Sequence, residues 1–297
     1  MSNKHLIFRQ VNPDDEFYTY RKDIDFQLKY YRDYFNNKII FLPCDDPAKS
    51  NFYAYFRDNF SKLGLKKVIA TYYNGGAATY TRILTSDGYN DVLNPDCGDF
   101  LGNYAKNLYK KVDIVVTNPP FSKINDFLAT LWQLKTKFIL IAPLLCLSYV
   151  KSKMPVHLAK NELHYASFSN SKSMKFYKDN ICKSSNSIWI TTLNIYPKHP
   201  FYQSNPKNKT KIVQQSARPI QCSDENRQYI NDEIAKGRVL YCKLTQDIPV
   251  KTDKILAVPI SFISKYNEHQ FQILGSIAPV VDNKEKFRRL LIRYRHS

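Results

Sequence analysis

The sequence predicts an α/β fold built around a mostly parallel sheet, and three observations carry that prediction. Short apolar runs rich in β-branched residues alternate with stretches whose apolar residues recur every three or four positions. The runs end at clusters of Pro, Asp, Asn or Gly, the residues that close strands and open loops. At 297 residues the chain can hold one large α/β domain, or one domain with a small appendage.

The N-terminal stretch Asp14 to Tyr34 is polar and aromatic, and Ile24, Leu28, Tyr31 and Phe35 give its second half helical spacing. Ile39 to Leu42 reads as a first strand, closed by Pro43 and Asp45-Asp46-Pro47. Ser50 to Leu63 has the helical period through Phe52, Tyr55, Phe56, Phe60 and Leu63, with Gly64 as C-cap. Lys67 to Tyr73 is a second strand ended by Asn74-Gly75-Gly76. Ala77 to Asn94 is polar and turn-rich, and Leu93 to Phe100 a short strand and turn. Val112 to Thr117 is a strand, Ile124 to Leu134 a helix and Phe138 to Ala142 a further strand. This alternation implies βαβ units. Beyond Val150 the pattern thins: Ser187 to Leu193, Arg238 to Leu244 and Ile255 to Phe262 are strand candidates, and the proline-punctuated Pro197 to Ser223 reads as loops. The expected organisation is a first domain over 1–196 and a C-terminal region over 197–297 that packs partly back on it.

The most informative segment is Val112 to Ser122, where an apolar strand stops at Asn118-Pro119-Pro120-Phe121. Two prolines cannot donate to a ladder and fix their own φ, so the chain turns there in a stiff, extended shape. The turn holds an amide, backbone carbonyls and a ring at the end of a strand, where open α/β sheets place ligands. An amide oxygen and a carbonyl can accept both hydrogens of a planar NH2 group while the ring stacks on the base carrying it. Asn118, Pro119, Pro120 and Phe121 are therefore the candidate catalytic residues, for methyl delivery to an exocyclic amine; a base in duplex DNA must be flipped out to reach them. The plain alternative is a rigid strand-to-helix turn.

No two of the eight glycines form a GxG, which excludes the standard dinucleotide fingerprint and the P-loop. The first strand ends instead in Cys44-Asp45-Asp46-Pro47, where a carboxylate could hold the amino group of S-adenosylmethionine or a ribose hydroxyl. The alternative there is an Asx-turn capping the next helix. In Cys97-Gly98-Asp99-Phe100 an aspartate could accept an adenine amine with the phenylalanine over its ring; an ordinary turn is the alternative.

The formal net charge of +18 favours a phosphate-rich partner through counterion release; a lysine-rich solvated surface is the alternative. Between Lys151 and Lys183, seven lysines face only Glu162 and Asp179, and the tail from Lys284 to Arg295 is also basic. The six cysteines show no CxxC and no His/Cys cluster with metal spacing, so no metal is expected. The histidines (His5, His157, His164, His199, His269, His296) are scattered. Reduced thiols, a polar N-terminus and the absence of a membrane-length apolar run point to a cytoplasmic protein.

At this point the residues resemble a known family, the EcoRI-type adenine-specific DNA methyltransferases. The matching series runs in order. It begins with Asp15-Glu16-Phe17-Tyr18-Thr19 and Asp23-Ile24, then Asn37 to Ile40 with Cys44 to Pro47 and Ser50-Asn51-Phe52. Phe60 to Lys67 with Ala70-Thr71, Gly98-Asp99-Phe100 and Asp113 to Ser122 follow. Val258 to Phe262, Lys265-Tyr266-Asn267 and Gln270-Phe271 through Gly275 close it. The resemblance implies a Rossmann-like methyltransferase fold, with a seven-stranded, mostly parallel sheet and helices on both faces. It implies S-adenosyl-L-methionine as donor and N6 of adenine in double-stranded DNA as acceptor, with catalysis in the domain over 1–196 and target-recognition elements in 197–297; an associated restriction nuclease is a partner the family allows, and the sequence does not say whether one exists. Tyr18, Thr19, Cys44, Asp45, Asp46, Pro47, Asp99 and Phe100 would line the donor pocket. The chain departs from the family's pattern at Gln27, Leu101, Ala142 to Leu145 and Trp189 to Thr192, and matches it poorly over Pro197 to Val250. Two other readings stay open: methylation of another planar NH2, in RNA or a protein glutamine, and a nucleic-acid-binding relative without activity.

Overall fold

The structure is a computed structural model that describes residues 17–169, 173–178, 181–206 and 208–295. Asp15 and Glu16 of the opening signature, Lys172 and Asp179 of the basic segment, and His5 and His296 lie outside the described residues. The chain divides into two compact units, Met1–Pro143 with Phe168–Ile195, and Leu144–Ser167 with Tyr196–Ser297.

In the first unit the elements run β1 (Tyr18–Thr19), α1 (Arg21–Leu28), β2 (Ile39–Leu42), α2 (Asn51–Asp58), β3 (Lys67–Thr71), β4 (Thr79–Thr85), β5 (Gly88–Asn94), α3 (Asn103–Tyr109), β6 (Ile114–Thr117), α4 (Ile124–Gln133) and β7 (Phe138–Pro143). The strands Met174–Lys178, Ile181–Ser185 and Ser187–Thr191 complete it. The main sheet has the spatial order β5-β4-β3-β2-β6-β7, followed by Ser187–Thr191. The four central strands β3, β2, β6 and β7 are mutually parallel. They are apolar and buried along nearly their whole length, as strands covered on both faces must be.

The expectation of a mostly parallel sheet is corrected, because the sheet is mixed. β4 and β5 run antiparallel to their neighbours, as does Ser187–Thr191 against β7. The reason is connection length: the links after β3 and β4 are far shorter than the dozen or more residues a parallel crossover requires. Ala77 to Asn94, read as turns, is this β4–β5 hairpin. Its inward positions include Thr79 and Thr81 rather than aliphatic residues, so the period-2 hydrophobic signal is absent. Arg82 braces the hairpin by donating twice to the Asp91 carboxylate opposite it, at 2.8 and 2.7 Å.

The helices that cross between parallel strands follow their predicted spacing, but α2 ends at Asp58 with Asn59 rather than Gly64 as its C-cap, so Phe60 and Leu63 lie in the turns that follow it. α2 buries Phe52, Tyr53, Tyr55 and Phe56, and Ser50 caps it by accepting from the amides of Phe52 and Tyr53. α4 buries Ile124, Phe127, Leu128 and Leu131, an i, i+3, i+4, i+7 stripe. Each such side chain contributes about 1.5–3 kcal/mol when buried. Ile24, Leu28, Tyr31 and Phe35 are all fully buried, on α1 and the two 3-10 turns that continue it.

The second unit holds a six-stranded sheet in the order Lys211–Ile212, Val239–Tyr241, Ile255–Val258, Arg289–Tyr294, Phe271–Ile277, Gln221–Cys222. Only Val239–Tyr241 and Ile255–Val258 pair in parallel. Helix Asp224–Ala235 adds Ile230 to the core between these strands. Its sequence shows little apolar periodicity, since only Ile230 and Glu233 are buried, and it escaped the sequence reading. Among the described residues no helix is long and apolar enough to cross a membrane.

One glycine fixes a loop on which the site depends. Gly98 has φ +79°, and a Cβ there would lie 1.6 Å from the Tyr72 carbonyl oxygen at the end of β3. Only a residue without a side chain lets the turn before Phe100 lie this close to the sheet. Gly98→Ala should destabilise the protein by more than about 2 kcal/mol in urea denaturation; an unchanged midpoint and slope would contradict this packing.

Candidate active site

The chain leaves β2 for α2 and β3 on one side, then returns through β6 on the other. The point where the order reverses lies between β2 and β6, and their C-terminal ends open a crevice there. A cavity of about 190 Å³ occupies it. The loop after β2 supplies Cys44, Asp45 and Asp46, the end of β3 supplies Tyr72 to Asn74, and β6 supplies Asn118 and Pro120. Tyr18 and Thr19 of β1 line it too, and Phe100 reaches it from the glycine turn.

Asp45 ties these elements together. It is 5 % exposed, its carboxylate accepts from the Ser50 and Thr117 hydroxyls at 2.6 Å each, and its amide donates to the Thr71 carbonyl. One residue thus joins the ends of β3 and β6 to the N-cap of α2. Asp46 Oδ1 accepts from the Ala48 amide, an Asx-turn, while Ser50 is the helix cap.

Asn118 is held by a single directional bond. Its Nδ2 donates to the Phe17 carbonyl at 3.0 Å, whereas Oδ1 is buried and has no partner among the described residues. The amide cannot be turned over, because Oδ1 would then face another acceptor. A buried acceptor without a partner costs about 1–3 kcal/mol, and this one lies on the wall of the cavity, where a donor entering it could satisfy it. Asn118 also lines a second cavity, of about 220 Å³, together with Phe17, Pro119, Phe121 and Phe176. Lys183, Ser184 and Ser185 complete its wall. Phe17 and Asn118 belong to both cavities and separate them. The Phe121 ring meets Phe176 edge-on at 6.3 Å, which leaves a face of Phe121 for stacking.

The structure brings Tyr18, Thr19, Cys44, Asp45, Asp46, Phe100, Asn118 and Pro120 to the first cavity, and Asn118, Pro119 and Phe121 to the second. Pro47 and Asp99 line neither. Asp99 is exposed, and its Oδ1 accepts from the Leu101 amide, a turn bond. Thr19 Oγ1 is likewise buried without a partner among the described residues, as are four polar side-chain atoms outside the two cavities, on Tyr53, Thr79, His199 and Arg289. Sequence reasoning missed Phe17, Tyr72, Tyr73 and Phe176, with Lys183 to Ser185. The tyrosines follow β3 as Cys44 follows β2, so the same strand-end logic could have found them. The hairpin that carries Phe176 and Lys183 gives no such signal, since Ile181 to Ser184 are all exposed. Among the described residues no cluster of His, Cys, Asp and Glu has the geometry to hold a metal ion.

The chain matches the family model described as adenine-specific methyltransferase EcoRI over residues 8–294. It belongs to that family. Curated relatives agree. The type II methyltransferase M.EcoRI of Escherichia coli is 30 % identical, over 92 % of this chain and 89 % of the relative. The type II methyltransferase M.MgeORF184P of Mycoplasma genitalium is 28 % identical over 89 % of this chain and 84 % of its own length. M.MpnI of Mycoplasma pneumoniae is 25 % identical over 89 % and 83 %. No solved structure matches the chain. Membership makes this protein an adenine-specific methyltransferase and accounts for the ordered motifs, including those on both sides of the Asn118 turn.

Burial pushes the Asp45 carboxyl up to about 6, against the two hydroxyl bonds that pull it down. An unfolded aspartate ionises near about 3.9. The folded protein therefore holds an extra proton between about pH 4 and pH 6. Asp45's contribution to stability is full below that window and is lost as pH rises through it. Denaturation of the wild type and Asp45→Asn across this range should show the wild type losing about 2 kcal/mol relative to the variant. Parallel curves would contradict the raised value.

Proposed function

We propose that the protein transfers a methyl group from S-adenosyl-L-methionine to N6 of adenine in double-stranded DNA, the base having left the helix to enter the Phe121 cavity. The observation that carries this reading is the unpartnered Asn118 oxygen between two adjoining cavities. In this reading Asn118 Oδ1 and the Pro119 carbonyl accept the two amine hydrogens, drawing the nitrogen toward a tetrahedral shape with an available lone pair. Phe121 stacks on the purine and replaces the neighbours it has left. Pro120 holds the turn rigid: it offers no amide hydrogen, and its carbonyl accepts from Lys123.

The residues of the first cavity fit the donor. Asp46, beside the Asp45 hub, suits an ammonium or ribose hydroxyl, and the Thr19 hydroxyl and Lys49 suit a carboxylate. Phe100 and Tyr72 offer apolar faces to a base, and Tyr18 and Cys44 complete the wall. Asp99 and Pro47 act indirectly here, by shaping the turns beside Phe100 and Asp46. The donor supplies an electrophilic methyl on a sulfonium, and the chain's part is to align the amine with it and exclude water. The first unit is the catalytic part, and the second, with the basic tail, carries target recognition. The charge of +18 suits a polyanion. The type II naming of the relatives supports a restriction–modification setting with a matching nuclease. Acting on cellular DNA, the protein works in the cytoplasm.

Transfer of labelled methyl to DNA tests the reading. Asn118→Ala should lower the single-turnover rate by about 10²–10³-fold, with donor affinity by calorimetry unchanged within about threefold. Phe121→Ala should weaken binding of target duplex by the equivalent of about 1–3 kcal/mol of lost stacking. Undiminished transfer by the Asn118 variant would overturn the assignment.

A further inference from the structure

We infer that Ser185 reads the extruded base, donating its hydroxyl hydrogen to the adenine ring nitrogen beside the target amine. The inference rests on the function proposed above and names a residue that the family motifs do not contain.

Ser185 ends the second strand of the hairpin Met174–Lys178/Ile181–Ser185. The register sets Lys183 opposite Phe176 and Ser185 opposite Met174, so Phe176, Lys183 and Ser185 share one face. All three line the second cavity with Asn118, Pro119 and Phe121. The hairpin is fixed in place. Its first strand pairs with β1 through Tyr177 opposite Tyr18, and Asn51 Nδ2 donates to both the Thr19 carbonyl and the Tyr177 hydroxyl, at 2.8 and 2.9 Å. Ser185 therefore presents its side chain from a held strand.

The direction of its hydrogen follows from its neighbour. The Ser187 and Ser185 hydroxyl oxygens lie 3.0 Å apart, and Ser187 is 4 % exposed on a strand paired to β7. Ser185 is the acceptor that the described residues offer the buried Ser187 hydroxyl, so Ser187 donates to it. Ser185 then has its own hydrogen left to give, on the cavity side.

Asn118 Nδ2 is spent on the Phe17 carbonyl, and the Lys183 ammonium lies 4.4 Å from the centre of the Phe17 ring, which draws its charge toward Phe17. Ser184 also lines the cavity but is exposed, and its side chain alternates to the other face of the strand from Phe176 and Ser185. An adenine whose amine sits on Asn118 presents an acceptor nitrogen on either side of that amine, N1 on the Watson–Crick edge and N7 on the other. A hydroxyl donor there fixes the plane of the base about its one exocyclic anchor. Guanine is rejected at the anchor itself, since it sets an oxygen against Asn118 Oδ1 where adenine sets an amine.

The test couples a protein change to a base change. The full-length wild type and Ser185→Ala are titrated, with S-adenosylhomocysteine present, with duplexes carrying adenine, 1-deazaadenine or 7-deazaadenine at the mapped target position. Ser185→Ala should weaken binding of the adenine duplex roughly three- to tenfold, as loss of one neutral hydrogen bond does. It should have no further effect on the one analogue that lacks the contacted nitrogen, and its full effect on the other; Ser185→Thr should restore the wild-type pattern. Which analogue is insensitive identifies N1 or N7. Equal losses on all three duplexes, or no loss on adenine, would overturn the inference. Failure of the wild type to methylate the unmodified duplex would instead overturn the proposed function, so the two failures are distinguishable.

Discussion

The hydrogen bond from Asn118 Nδ2 to the Phe17 carbonyl is the constraint on which the site depends. It uses one end of an amide to aim the other. With the donor end satisfied, the acceptor end is buried and unpaired at the boundary of two cavities. A folded chain tolerates such an atom where its partner is supplied by a ligand. The two prolines that follow remove the freedom to relax around it. In the proposed mechanism Asn118 is thus prepared before any substrate arrives, and little reorganisation is left for the reaction itself.

Topology brings the parts together. The four parallel strands place three loop ends on one edge of the sheet, and the reversal of strand order between β2 and β6 separates those loops enough to admit a ligand. Asp45 then fixes their spacing through its bonds to Ser50, Thr117 and Thr71. Its carboxylate is buried and its lone pairs are largely occupied, so it acts more as a brace for the crevice than as a freely offered ligand. Asp46, the next residue, carries the accessible charge. A sequence pair of acids is in this way divided by burial into a structural member and one that lines the cavity, the member proposed to bind.

Much of this was legible in the chain itself. The strands β2, β6 and β7 and helices α2 and α4 agree with their periodicity within a few residues, because all are buried on one or both faces and must therefore be apolar. The Asn118 turn was legible because proline chemistry is local. The β4–β5 hairpin was not, since buried threonines conceal its alternation, and helix Asp224–Ala235 was not, since it buries so little. Phe176 and Ser185 were invisible for another reason, and Phe17, though part of the opening signature, gave no sign of its place in the site. Their places in the site depend on pairing between segments more than 150 residues apart, as when Thr19 meets Phe176, and no local pattern encodes a long-range register.

The account comes down to which atom the buried Asn118 oxygen is waiting for. A crystal structure of the protein with S-adenosylhomocysteine and a duplex containing the target site would show it directly. The extruded adenine should lie against Phe121 with N6 within hydrogen-bond reach, about 2.7–3.2 Å, of Asn118 Oδ1, and with the cofactor sulfur in the Asp46 cavity on the other side. An adenine left stacked in the duplex, or seated with its amine directed away from Asn118, would contradict the account.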